Sequence, residues 1–421
     1  MTETVRPAFV DRPRPLLAYG IPFPAAAAHH VDDLFHASRV YIICSASLAR
    51  NTDALDRLVE AIGEKQVVGK RIGMQSHTLW SEVLEAANAA REAEADCLIT
   101  LGGGSLTDAA KVVALALANN ATTPQALSTL STGPNQSTDL HPPSIPIISI
   151  PTTLSAGEYS SFAGATDDST HRKHIFGYPT RGPGLVILDP ALTTTTPART
   201  WLSTGVRAVD HCVETYCAAQ GTTSETDQLS LHALGLLVPG LLRTHCDPAD
   251  EDARLECQLG SVDAMAAVTA EQGSVQLGAS HGISHQLGPL GVPHGETSCI
   301  LLPAVCKYNA AHEKAEAGAG AGPNRERQEK LKHFLGKRDE VVEVVRRHHA
   351  GKDLEQLDLG DVLDAVIREL GMPRSLAEVG IGRQHLDRLA ENSLHDRWCQ
   401  TNPVPLTEKS QVLEILEMVV G

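Results

Sequence analysis

Apolar positions along the chain follow two rhythms. In the first part, short unbroken aliphatic runs alternate with stretches of helical spacing. RVYIICSASL (39–48) is β-branched and ends in small polar residues, and ALDRLVEAIGE follows it as an amphipathic helix. WSEVLEAANAAREAEADCLITLGGGSLTDAAKVVALALANN repeats the scheme as helix, strand, glycine turn, helix, and SIPIISIPTT (144–153) reads as a third buried strand. Strands that alternate with helices and lack a polar face imply a parallel sheet covered on both sides.

After GLVILDPALTTTTPART the strand signal fades. LHALGLLVPGLL and LDAVIRELGMP carry apolar residues at helical spacing with Gly and Pro as punctuation. The patterning thus predicts an α/β N-terminal doubly wound domain over 1–190 and an all-α C-terminal domain over 191–421. Two segments, 119–144 and the Gly/Ala-rich 315–330, read as surface loops.

Length supports the division, since 421 residues exceed one ordinary core. A formal charge of −16 without a basic cluster repels phosphate backbones and anionic lipid, which leaves a small molecule as the expected partner, with no nucleic acid and no membrane. The nine cysteines form no C-x-x-C pair, and the N-terminal stretch has no apolar leader-like run. A reducing, cytoplasmic setting is the expectation.

Three stretches carry candidate chemistry. In LITLGGGSLTDAAK, Gly102, Gly103 and Gly104 close a strand-to-helix turn whose bare backbone lets N–H groups and a helix N-terminus approach a pyrophosphate; the alternative is a tight turn needing glycine for geometry alone. Asp108 and Lys111, one turn on, read either as pocket lining or as a solvated pair. IPTTLSAGEYSS places Thr152 and Thr153 at a strand's C-terminal end, where open α/β sheets bind ligands, or else as caps. SHGISHQLGPLGVPHGETS sets His281 and His285 at i and i+4, with His294 beyond a Gly/Pro turn; three imidazoles in one cleft serve as metal ligands or proton relays. GVRAVDHCVETY adds Arg207 one turn before His211, on the same helix face.

Taken in order and at these separations, GGGSLTDAAK, IPTT, GVRAVDHCVETY, HGISHQLG and PHGETSCILLP resemble the iron-containing (group III) alcohol dehydrogenase family of the dehydroquinate-synthase-like fold. LGMPRSLAEVGI and TNPVPLT extend the likeness nearly to the C-terminus. The resemblance implies that the N-terminal α/β domain is nucleotide-binding, with an active site in a cleft between it and the helical domain, commonly in a homodimer. It assigns Gly102, Gly103, Gly104, Ser105, Asp108, Thr152, Thr153 and Lys173 to the cofactor pocket. His77, in the family-like stretch MQSHT, and Ser160, in the IPTT loop, are grouped with them. Metal-using members hold Fe²⁺ or Zn²⁺ with an Asp-x-x-x-His pair and two later histidines. Here His211, His281 and His294 match the histidine ligands, His285 matches a neighbouring non-ligand histidine, and Arg207 stands where the aspartate belongs.

A guanidinium within roughly 4–6 Å of a dication exchanges attraction for repulsion, worth several kcal/mol even at an effective dielectric near 20, and arginine cannot shed its proton. Asp210, about 100° further round the helix, is expected to face away from the His211 side. The expectation is therefore a site without metal, similar to the maleylacetate reductase branch, which also lacks that aspartate. That branch usually carries Asn there. The function expected is NADPH- or NADH-dependent reduction of a small, carboxylated oxo or enone substrate. Arg207 would bind or polarise it, and His285 or His211 would donate the proton. Ser45 ends the 39–48 strand where NAD-preferring members often have Asp, so NADPH meets no carboxylate there. Three alternatives remain: a metal-dependent alcohol dehydrogenase, a non-redox lyase of the same superfamily, and a silent binding protein.

Overall fold

The computed structural model describes residues 2–75, 78–270, 275–313 and 322–421, and the chain divides into two compact units, Met1–Thr196 and Pro197–Gly421. The first unit is built on β1 (Thr4–Pro7), β2 (Leu16–Tyr19), β3 (Val40–Cys44), β4 (Val67–Ile72), β5 (Cys97–Gly102), β6 (Ile147–Pro151), β7 (Ala163–Thr166), β8 (Lys173–Phe176) and β9 (Leu185–Leu188). Seven strands form one sheet in the order β1-β2-β9-β6-β5-β3-β4; all neighbours are parallel except β1 with β2. β7 and β8 pair apart as an antiparallel ribbon.

β3, β5, β6 and β9 are buried at every position, which is why they read as unbroken apolar runs. Successive residues of β3 feed opposite layers. Tyr41 and Ile43 pack with Trp80, Val83 and Ala109, whereas Val40, Ile42 and Cys44 pack with Phe23, Leu55 and Leu58. The sheet is thus covered on both faces, the doubly wound arrangement expected. From β3 the chain runs outward to β4 and then returns to β5 on the other side of β3, so the order reverses between β3 and β5. In such sheets this reversal opens a crevice at the strands' C-terminal ends.

The second unit is helical. Its long elements are Ala198–Cys217, Ser224–Cys246, Glu251–Val268 and His294–His312, with the shorter Ala279–Leu287 between the last two. Among the described residues no helix is long and apolar enough to cross a membrane.

Several expectations need correction. The 119–144 segment includes a short helix, Pro124–Ser128, started by a Thr123 side-chain cap and Pro at its first position. Within 315–330, residues from Pro323 onward begin the Pro323–Leu335 helix, and residues 315–321 lie outside the described residues. The strand assigned to 39–48 ends at Cys44, because Ser45 caps a helix over Ala46–Asn51.

Candidate active site

Ser45 and the three glycines meet at the β3/β5 reversal. Gly102 has φ +144°, which L side chains rarely adopt, and a Cβ there would lie 2.6 Å from Leu106 Cδ1 and 2.9 Å from Ser45 Cβ. Gly103 precedes the Gly104–Ala118 helix without a side-chain cap, and the first turn carries no acidic residue. Those N–H groups and the positive end of the helix dipole suit an anion. Thr153 closes the turn from above: a Cβ on Gly103 would come 3.2 Å from Thr153 Cγ2, and one on Gly104 3.3 Å from Ser155 Cβ. Ser105 is tied through its carbonyl, which accepts from Thr78 Oγ1 at 3.1 Å.

Other sequence-assigned residues of this unit are already occupied by internal bonds. Lys111 is fully buried, and its Nζ donates to the carbonyls of Gly157 (2.7 Å) and Phe162 (2.8 Å), to Ser160 Oγ (3.2 Å) and to Asp108 Oδ1 (3.2 Å). Asp108 Oδ2 accepts from the Gly164 N–H. The solvated-pair reading of Asp108/Lys111 does not hold, because the ammonium is a buried staple for the 157–164 loop. Ser160 belongs to that staple. Thr152 is buried beside the turn, its N–H donating to Gly102 O and its carbonyl accepting from Thr196 Oγ1. Lys173 lies exposed on β8, opposite Thr166. His77 lies outside the described residues.

In the second unit the Ala198–Cys217 helix turns Arg207, Asp210 and Glu214 inward, all three buried. Arg207 Nη1 donates to Ser298 Oγ at 3.1 Å, and Ser298 Oγ donates to Asp210 Oδ2 at 2.6 Å. Ser280 Oγ donates to the same oxygen at 2.9 Å. Asp210 therefore does not face away. It joins Arg207 and Glu214 at i, i+3 and i+7 because hydroxyls from two other helices reach in to it. Its Oδ2 is 3.5 Å from His281 Nδ1.

The four histidines form two pairs. The His211 and His281 rings lie 4.7 Å apart at 29°, with His281 fully buried, while His285 and His294 are exposed and parallel at 6.2 Å. Trp398 stands beside both sets, 5.5 Å from His281 and 5.0 Å from His285. Gly295 lets the His294–His312 helix cross the first helix closely, since a Cβ there would lie 2.6 Å from the Ser203 carbonyl carbon. Arg199 and Glu296 pair two-fold beside that crossing, at 2.5 and 2.8 Å. His281 Nδ1 is 2.8 Å from Glu214, and His285 Nδ1 is 2.7 Å from Asp396. Two ring nitrogens, His281 Nε2 and His211 Nδ1, are buried without a partner.

Burial governs the charges. It pushes the Asp210 and Glu214 carboxyls above the usual range, and their mutual repulsion adds to it at Asp210. Glu214 is held by two backbone N–H groups and Asp210 by two hydroxyls. Burial likewise pulls His211 and His281 well below the ordinary imidazole value, with further lowering from their charged neighbours, and both are neutral at pH 7. By distance, Asp210, Glu214 and His281 offer three ligand-type atoms within 4.8 Å. Glu214, Ser280, Ser298, Asp396 and Trp398 were not singled out from the sequence. Only Glu214 carried a signal, seven residues from Arg207 on the same helix.

Sheet, glycine turn and paired histidines are those of a dehydrogenase-type oxidoreductase. Residues 21–190 match the model of the iron-containing alcohol dehydrogenases and residues 201–420 that of the C-terminal part of the same family. The chain belongs to the iron-containing alcohol dehydrogenase family. It is 43% identical to Dehydrogenase FUM7 of Gibberella moniliformis over 96% of each chain. Its fold is similar to that of maleylacetate reductase from Rhizobium sp. strain MTP-10005 (23% identity, TM-score 0.71, 100% of this chain and 97% of that one). It is also similar to sulfoacetaldehyde reductase from Bifidobacterium kashiwanohense, solved in complex with NAD+ (19% identity, TM-score 0.77, 96% of each chain).

Proposed function

We propose that the chain is a nicotinamide-dependent reductase of a small oxo or enone compound, and that it works without the metal of its family. The observation that carries this reading is Arg207, buried and hydrogen-bonded into the Asp210/Ser298 network at the position where the family's acidic ligand belongs. The guanidinium supplies fixed positive charge beside the histidines, and it is incompatible with a dication at the same spot.

The first unit fits a dinucleotide: the uncapped helix after Gly103 offers N–H groups to the pyrophosphate, and Gly102–Gly104 keep side chains out of its way. Ser45 puts no carboxylate at the end of β3, which favours NADPH alongside NADH. A bound reduced nicotinamide supplies the hydride. The chain's own part is to polarise the acceptor and deliver a proton. Of the two proton donors considered, His211 is half-buried and held neutral, so the role falls to the more exposed His285, through Nε2.

Arg207 is a poor clamp for a substrate carboxylate, because such a group would compete with Asp210 and Glu214 for one cation. The likeness to maleylacetate reductases keeps small oxo acids as the first acceptors to assay, and a cytoplasmic homodimer belongs to the same reading.

A metal-dependent dehydrogenase is the second reading, supported by the proximity of Asp210, Glu214 and His281. Against it, Asp210 Oδ2 already accepts two hydroxyls, Glu214 accepts two backbone N–H groups, and His281 Nδ1 is bonded to Glu214. Metal analysis of the purified protein separates the two readings. The proposal expects turnover that survives chelation and a loss of at least about tenfold in kcat for Arg207→Ala; near-stoichiometric Fe or Zn with chelator-sensitive activity overturns it.

A further inference from the structure

We propose that Asp396 is the positioning residue for His285, holding the imidazole in one orientation and one tautomer. This rests on the reading of His285 as proton donor. Asp396 Oδ2 lies 2.7 Å from His285 Nδ1, while its other oxygen, Oδ1, accepts from the Trp398 N–H at 2.9 Å and so starts the short Arg397–Thr401 helix. The carboxylate is mostly shielded, with 14% side-chain exposure against 37% for the imidazole. It is thus fixed by its own backbone bond before it fixes the histidine.

The consequence is directional. With Nδ1 committed to a carboxylate, Nε2 is the atom left to exchange a proton. Trp398, 5.0 Å from the ring, and His294, parallel to it at 6.2 Å, limit how far the imidazole can swing. Gly282 lets the Ala279–Leu287 and Arg397–Thr401 helices pack closely, since a Cβ there would meet Cys399 Sγ at 2.6 Å and Asp396 Oδ1 at 3.4 Å. The proton moves from Nε2 to the acceptor oxygen or carbon as the hydride arrives, and His285 is reprotonated from solvent.

The test is a double-mutant cycle on the full chain with the reduced nicotinamide and a reducible acceptor. Asp396→Asn keeps an oxygen for the Trp398 N–H, but it removes the charge and turns an amide NH2 towards His285 Nδ1, which favours the opposite tautomer. It is expected to lower kcat at least about tenfold with KM for both substrates within about twofold, and Asp396→Glu to restore part of the loss. His285→Ala combined with Asp396→Asn should be no worse than His285→Ala alone. Wild-type kcat in Asp396→Asn, or losses that multiply in the double variant, overturns the positioning role while leaving His285 as donor. Full turnover in His285→Ala overturns the donor reading itself.

Discussion

Glu214 sits 2.8 Å from His281 Nδ1 and at the same time caps the helix that carries it, accepting the N–H of Gly278 at 3.0 Å and of Ser280 at 2.8 Å. One side chain from the Ala198–Cys217 helix therefore sets both where the Ala279–Leu287 helix begins and which nitrogen of His281 is left bare. The neighbouring Ala279 N–H goes to Asn402, a buried residue of the C-terminal TNPVP stretch. Glu214→Gln has one oxygen for donors that now share two, and its amide opposes a backbone N–H. Because the site is buried, the loss should be about 2–4 kcal/mol in urea unfolding. A change under about 0.5 kcal/mol, the scale of an ordinary surface substitution, would refute the capping role.

How much of this was legible in the sequence depends on the range of the interaction. The glycine turn and the buried strands β3, β5 and β6 are local patterns, and they were read correctly. The edge strand β1 and its neighbour β2 were not, because four-residue stretches such as TVRP carry no periodicity. Arg207 and His211 could be placed on one helix by spacing. Asp210 was misplaced because the same spacing argument ignores what comes from outside: Ser280 and Ser298, 70 and 88 residues away, turn its carboxylate inward. Asp396 was invisible for the same reason, 111 residues from His285.

The buried histidines make a signed pH prediction. In the folded state His211 and His281 stay neutral, whereas in the unfolded chain they take up a proton below about pH 6.5. Their contribution to stability is present above that pH and falls as pH drops through it, by up to about 1.4 kcal/mol per pH unit for each ring. Asp210 and Glu214, raised by burial, act with the opposite sign, losing stability as pH rises from about 4 towards their folded values. The net slope of the parent protein is thus partly cancelled, so the informative comparison is between chains. Against the parent, His281→Gln should make the change in stability from pH 5 to 6.5 more negative, or less positive, by roughly 1 kcal/mol per pH unit on average, measured by urea unfolding. An unchanged slope would mean that His281 titrates normally.

Ser45 allows a clean test of cofactor choice. Its Oγ accepts from the Leu48 N–H at 3.3 Å, and Asp caps a helix as well as Ser does, so Ser45→Asp should leave the fold intact. The new carboxylate would face a 2′-phosphate at the end of β3. At an effective dielectric near 20 that repulsion is several kcal/mol before screening, enough to cut kcat/KM for NADPH by roughly tenfold or more while NADH is retained. Equal losses for both cofactors would remove Ser45 from the nucleotide site.

The glycines of the turn should divide by role. Gly102→Ala must adopt φ +144° and push against Leu106 and Ser45, a strain of roughly 1–3 kcal/mol that appears as lost stability. Gly104 is different. It is the first residue of the helix, with no positive φ to strain an alanine, and its added Cβ meets only Ser155 at 3.3 Å. Gly104→Ala should therefore fold as well as the parent, yet place a methyl group where the pyrophosphate must approach the N–H groups. The expected result is a nicotinamide KM raised about tenfold or more with unchanged urea midpoint, since a displaced phosphate loses charge-assisted bonds worth about 1.5–3 kcal/mol each. An unaltered KM would mean that the glycines serve only the tight turn, and the nucleotide would have to be sought elsewhere in the first unit.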